Sequence, residues 1–387
     1  MAAPNRTTID DLRGAARLAC DATIGITDLV ENMHHTILLR HPPFGASRAG
    51  ATRGLTGLVY RSVRGATRVI GQGLDAGLAP VAAMLPEAES GAARDAWVSA
   101  INGIYGDHLE RTGNPLAIEM SLRHGGRRID PERPAEVLQD ATDRVLVIVH
   151  GLCLNDLHWR RDGRNRIEGV ARERGYTPVY LRYNSGRSIA RNGRAFAELL
   201  EALLGQWPHP VREVAIVGHS MGGLVARSAS HHGSLARHDW RRVLGRLVFL
   251  GTPHHGAPLE RGGHRLDDVM ALSPYVAPFA RLGKARSAGI TDLRHGSITH
   301  DDQEFVPLPG DVDCYALAAT LGKRRSLVAE RLVGDGLVPL DSALGRHKDA
   351  ARTLAIARER QWVGYEMGHL ELLGRPEVYA RLGDWLR

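Results

Sequence analysis

The stretch Val214-Ala215-Ile216-Val217-Gly218-His219-Ser220-Met221-Gly222-Gly223 decides how this chain is read. A short apolar, β-branched run ends in Gly-His-Ser-Met-Gly, and a helix-compatible run, Leu224-Val225-Ala226-Arg227, follows. The pattern G-x-S-x-G between a strand and a helix predicts a sharp turn that pushes the Ser220 hydroxyl out at the carboxyl edge of a sheet. Gly218 and Gly222 are required there because a Cβ at either place would crowd the strand against the helix. The helix N-terminus behind the serine offers free N–H groups to a developing negative charge. With 44 glycines in 387 residues the pattern also arises by chance. An ordinary β–α turn with an idle serine therefore competes until the chain supplies a base, an acid and oxyanion donors.

Size and composition set the frame. Hydrophobic residues make up 43 %, enough for a sizeable core. No apolar run approaches the roughly 20 residues of a membrane span, and the polar start, Met1 to Asp11, has no signal-peptide core. The three cysteines, Cys20, Cys153 and Cys314, are far apart and follow no metal or redox spacing. These features predict a cytoplasmic protein, peripheral at a membrane or lipid surface at most. The formal net charge is +7, and all but three of the 50 Lys plus Arg residues are arginine. The arginines are spread along the chain with no zinc, helix-turn-helix or aromatic–basic motif, so no nucleic-acid partner is expected.

The N-terminal third reads as helical. Residues 1 to about 45 carry apolar spacings of three and four, stopped by Pro42-Pro43. Between 50 and 85, Leu55, Val59, Val63, Ala66, Ile70, Leu74, Leu78 and Val81 form one helical stripe, with Arg53, Arg61, Arg64 and Arg68 on the other side. Such a segment packs its stripe on the rest of the protein or lies on a lipid surface. Pro80 and Pro86 are expected to close it. Ala92 to Glu110 reads as a further helix. Residues 1–112 are thus expected to form a helical extension.

From Leu116 strands and helices alternate. Strands are expected at Leu116–Arg123, Val145–Val149, Thr177–Tyr183, Val211–Val217, Arg246–Leu250, Asp313–Ala319 and Gln361–Tyr365. Helices are expected over most of Arg160–Arg174, at Ile189–Leu204 and Ser220–Ser230, and at Pro376–Leu386. This alternation predicts an α/β fold, a mostly parallel sheet covered by helices on both faces, over residues 113–387. The sixty residues between Leu250 and Asp313 show no clear strand. A structureless loop of that length is unusual in a compact domain, so a helical cap over the site is expected at about 252–310.

Five stretches in this order resemble the α/β-hydrolase family, nearest to bacterial lipases and to lipase-like hydrolases related to GPI inositol-deacylases. They are His150-Gly151-Leu152 after a buried strand, the Ser220 turn, Leu250-Gly251-Thr252-Pro253-His254-His255-Gly256, Gly334-Asp335-Gly336-Leu337-Val338-Pro339 and Gly368-His369-Leu370. The resemblance covers about two-thirds of the chain. It implies a nucleophilic serine followed by an acid and then a histidine.

The chemistry asks for the same parts. A serine hydroxyl is a weak nucleophile at neutral pH and needs an adjacent base. Histidine suits that exchange, and a carboxylate must fix its tautomer. His369, in a Gly-bounded loop after the last expected strand, is the preferred base; His347, in a charged run, competes. Asp335, bracketed by glycines, is the preferred acid, with Asp341, Asp313 and Asp301-Asp302 as alternatives. The backbone N–H groups of Leu152 and Met221 are the expected oxyanion donors. His219, His254 and His255 are read as structural, and Cys153 is not taken as a nucleophile. The expectation is a lipase or esterase acting on apolar carboxylic esters, with no metal or organic cofactor. An acyltransferase, thioesterase or polyester depolymerase would use the same residues. A lipid-surface binding protein with an idle site is the alternative of another class.

Overall fold

The structure, a computed structural model, describes residues 6–38, 54–84, 91–161, 163–257, 287–300, 305–323 and 334–387. Its contacts divide the chain into two units, residues 1–91 with 109–117, and residues 92–108 with 118–387.

The first unit is built on two long helices, α1 (Arg6–Leu38) and α2 (Gly54–Met84). Arg13 and Arg17 of α1 both pair with Asp75 of α2, and Arg64 of α2 pairs with Asp28 and Glu31 of α1. Residues early in one helix meet residues late in the other, so the two run antiparallel. Hydrogen bonds from Arg17 and then Arg13 hold the Asp75 carboxyl below its ordinary range. Pro80, expected to end the segment, lies inside α2. A proline there removes one helical hydrogen bond and crowds the carbonyl four residues earlier, yet the helix runs on to Met84. Of the apolar stripe of α2, Val59, Val63, Ile70, Leu74 and Val81 are exposed, as is Val69 outside it.

The second unit takes in most of α3 (Ala92–Arg111) and holds an eight-stranded sheet. The strands in chain order are β1 (Ser121–His124), β2 (Arg127–Arg128), β3 (Arg144–Val149), β6 (Thr177–Arg182), β7 (Glu213–His219), β8 (Leu244–Leu250), β9 (Asp313–Thr320) and β10 (Gln361–Tyr365). A separate pair, β4 (Arg160–Arg161) and β5 (Arg164–Asn165), forms a small hairpin. Across the sheet the order is β2-β1-β6-β3-β7-β8-β9-β10. All neighbours from β6 to β10 are parallel, and only β1 is reversed, antiparallel to both β6 and β2. This is the α/β-hydrolase fold. The central strand β3 (Arg-Val-Leu-Val-Ile-Val) is buried from Val145 to Val149 because helices cover both faces. Val147 and Val149 join one core layer with Phe196, Leu200 and Leu224. Leu146 and Ile148 join the other with Trp159, Ile167 and Leu382.

Two expected elements differ. Leu116–Met120 is not strand: the N–H of Leu116 goes to the Asn114 side chain and that of Ile118 to the Asn102 side chain, each at 2.9 Å. Donors taken by side chains cannot join a ladder. Arg160–Asn165 is not helix but the small hairpin, turning at Gly163 with φ 71°. Asn165 then caps α4 (Arg166–Glu173) by accepting from the Glu168 N–H, and α5 (Ile189–Gly205) follows β6. Of the expected cap, residues 258–286 and 301–304 lie outside the described residues. Between them stands the helix Ala288–His295, capped by the Ser287 hydroxyl.

Candidate active site

The turn after β7 is as tight as its glycines imply. A Cβ on Gly218 would lie 2.5 Å from the Gly223 nitrogen. On Gly222 it would lie 2.5 Å from the carbonyl oxygens of Val149, the last residue of β3, and of His150 after it. On Gly223 it would collide with the Thr252 hydroxyl. These three positions let helix α6 (Met221–Ala236) start hard against the sheet. Ser220 absorbs the turn at φ 54°, ψ −124°, a region that costs a non-glycine residue about 1–3 kcal/mol. Its side chain is 8 % exposed and lines a cleft with Leu152, Pro253, Leu293, Val338 and His369.

His369 opens the 3₁₀ turn that follows β10, and its ring is buried. Its Nδ1 lies 2.7 Å from Oδ2 of Asp335, and its backbone N–H donates to the Asp335 carbonyl at 3.1 Å. The other carboxylate oxygen of Asp335 accepts from the N–H groups of Leu337 and Val338 at 3.0 and 2.8 Å. Gly334 at φ 54° and Gly336 at φ 96° make that loop possible. With a carboxylate at Nδ1, the Nδ1–H tautomer leaves Nε2 as the ring's acceptor. His219 bonds through Nε2 to the His369 carbonyl at 3.3 Å, and burial holds its imidazole well below the ordinary range.

The loop after β3 is equally constrained. His150 stacks on Tyr183, and burial pushes its pKa down to about 3, so it is neutral. Its Nδ1 meets the Gly151 carbonyl at 2.9 Å, and the Tyr183 hydroxyl donates to its carbonyl at 2.8 Å. Leu154 N–H closes back on Gly151 O, and Cys153 sits at φ 60° with its N–H on the Ser185 hydroxyl. Among the described residues no acceptor takes the Leu152 N–H. Met221, first residue of α6, likewise has no acceptor within its helix. In the sequence Ser185 is marked by nothing more than the polar turn Asn184-Ser185-Gly186 after β6.

The competing residues lie elsewhere. Asp313 starts β9 at the opposite edge of the sheet and pairs with Arg360 at 2.8 Å. Asp341 is exposed near Arg346, and His347 packs on His255. Asp301-Asp302 lie outside the described residues. His255 bonds to the Gly345 carbonyl, and His254 is buried against Phe249. Burial pushes the Cys153 thiol up to about 12, the reverse of an activated cysteine. Among the described residues no group of His, Cys, Asp or Glu could hold a metal ion, and no helix is long and apolar enough to cross a membrane.

Comparison with known proteins gives a family match and several distant structural ones. Residues 182–308 match the PGAP1-like alpha/beta domain. No curated protein matches. Among solved structures, the mature Bacillus licheniformis lipase BlEst2 is 18 % identical, at a TM-score of 0.43 over 69 % of this chain and 98 % of that one. Aspergillus fumigatus lipase B is 14 % identical, at 0.40 over 69 % and 56 %. A Pyrococcus furiosus esterase is 15 % identical, at 0.41 over 63 % and 81 %. The likeness to the PGAP1-like alpha/beta domain spans residues 182–308, and the strand order and pairing described above carry the α/β-hydrolase fold.

Proposed function

We propose that this protein is a serine hydrolase of carboxylic esters, with Ser220 as nucleophile, His369 as general base and Asp335 as the acid that orients it. The observation that carries the reading is the 2.7 Å contact between Asp335 and His369 beside the cleft that Ser220 also lines. Ser220 attacks the ester carbonyl while His369 takes its proton through Nε2. The N–H groups of Leu152 and Met221 receive the oxyanion. His369 then protonates the leaving alcohol, and water activated by the same ring releases the acid. The chemistry calls on no metal or organic cofactor.

The substrates we propose are esters of lipid or other apolar acyl groups. Leu152, Leu154, Pro253, Ala257, Leu293, Leu337, Val338 and Leu370 give the cleft an apolar wall. Acyl transfer, thioester hydrolysis and polyester cleavage would engage the same residues. A panel of p-nitrophenyl esters of rising chain length, run on wild type and Ser220→Ala, tests this reading. Turnover of medium and long chains, absent in Ser220→Ala, is expected. Activity confined to acetyl and butyryl esters would overturn the lipid preference.

Residues 50–85 we propose as a peripheral lipid-surface contact within a helical extension of about 1–112. The exposed Val59, Val63, Val69, Ile70 and Leu74 of α2 support it. Arg64, counted on its basic side, is occupied by Asp28 and Glu31. Insertion of apolar side chains rather than charge would then drive binding. Flotation with zwitterionic vesicles is expected for wild type and lost in Val69→Glu/Ile70→Glu. Equal flotation of the two would remove this role.

A further inference from the structure

A second pocket, which shares no lining residue with the serine cleft, has in its wall a buried arginine without a counter-ion among the described residues. It is partly open to solvent and holds about 260 Å³. An apolar cavity of about 150 Å³ already admits benzene. One wall is a single stripe of α6, Arg227, Ser230, His231 and Ser234, spaced three and four residues apart so that all share one face. The facing wall is apolar, from Ile298 and the segment Phe305–Pro309.

Arg227 is 6 % exposed. Its Nη2 donates to the Val306 carbonyl at 2.8 Å, and Nη1 lies a long 3.4 Å from Nδ1 of His254. Nε has no acceptor. A guanidinium has five N–H donors, so most of its hydrogen-bonding capacity is unused. Among the described residues no carboxylate pairs with it, and burial lowers its pKa to about 10. The neighbouring Cys314 thiol is pushed by burial up to about 12 and supplies no negative charge. The partners of Arg227 are thus neutral. A buried cation without a counter-charge is costly unless something supplies one. The Ser230 and Ser234 hydroxyls stand on the same face, and neither is engaged by another described residue.

We propose that this cavity binds an amphipathic monoanion, an aliphatic carboxylate whose head pairs with Arg227 and whose chain lies along Ile298, Phe305 and Leu308. One guanidinium matches one carboxylate in charge and fork geometry. A phosphate dianion would find one cation and a mostly apolar wall. The site stands apart from the ester-hydrolase reading and does not depend on it.

Calorimetric titration of the full chain with octanoate, inorganic phosphate and 1-octanol tests the proposal. Octanoate is expected to bind one to one, with no binding of phosphate and no competition from octanol. Arg227→Gln is expected to weaken it about tenfold or more, the effect of losing a charge-assisted hydrogen bond. Ser234→Trp, at an exposed position on the rim, obstructs the cavity while leaving Arg227 in place, and the same loss is expected even if the arginine variant fails to fold. Absence of octanoate binding, undiminished binding in Ser234→Trp, or binding of phosphate in place of octanoate would overturn it.

Discussion

Asp335 holds His369 twice, by its carboxylate on Nδ1 at 2.7 Å and by its own carbonyl on the histidine's backbone N–H at 3.1 Å. One residue thereby sets both the tautomer of the ring and the place of its backbone. The two functions separate on mutation. Asp335→Asn keeps the carbonyl contact but offers the ring an amide in place of a carboxylate. A fall in kcat on the order of 10⁴ is expected, with KM little changed, as for a base held in the wrong tautomer. Ester hydrolysis by the purified variant checks this; activity within tenfold of wild type would remove Asp335 from its role.

The glycines of the serine turn and those of α2 should respond in opposite directions. Gly222→Ala places a methyl 2.5 Å from the carbonyl oxygens of Val149 and His150, at the end of the central strand and just after it, where little can move without disturbing the sheet. Loss of soluble, folded protein or a large fall in Tm is expected. Gly77→Ala in α2 meets nothing within 4 Å, and should stabilise its helix by about 1 kcal/mol. Thermal unfolding of the two variants measures both signs.

Ser185 should act as a positioning residue. Its hydroxyl anchors the Cys153 N–H at 3.1 Å, where the backbone is held at φ 60°. Ser185→Ala frees the loop that carries the Leu152 N–H. A lower kcat at nearly constant KM is expected, because an oxyanion donor acts on the transition state. Ser185→Thr, which keeps a hydroxyl, should restore part of it. A rise in KM alone would instead mark Ser185 as a substrate contact.

Stability should fall on acidification. Burial lowers the pKa of His150 to about 3, and depresses His219 and His254 as well. Each binds a proton more readily unfolded, near the ordinary histidine value of about 6.5. Their contribution is fully present above that value. It is lost progressively as the pH falls from about 6.5 toward the folded-state values. Urea midpoints at pH 7.5, 6, 5 and 4 should decline in order. A flat profile would mean that these rings are not buried neutral.

Much of the fold is legible because β-branched runs alternate with amphipathic stretches. Val145–Val149 and Gln361–Tyr365 can be read directly as strands, and Ile189–Leu204 as a helix one residue short of its end at Gly205. What fails is local side-chain chemistry. Nothing in Leu116–Met120 announces that Asn102 and Asn114 take its backbone donors. The charged run Arg160–Asn165 hides a hairpin because arginines suit an exposed helix and a short exposed strand equally. At the candidate site, the Gly-bounded loops single out Asp335 and His369, which the fold brings into contact. Ser185 and Arg227 are not singled out, since their importance comes from what the fold sets beside them.

The most direct test of the central claim is labelling with a fluorophosphonate probe followed by peptide mapping. The account predicts a single modified residue, Ser220, with labelling abolished in Ser220→Ala and strongly slowed in His369→Ala. No labelling of wild type, or labelling undiminished in Ser220→Ala, would contradict it.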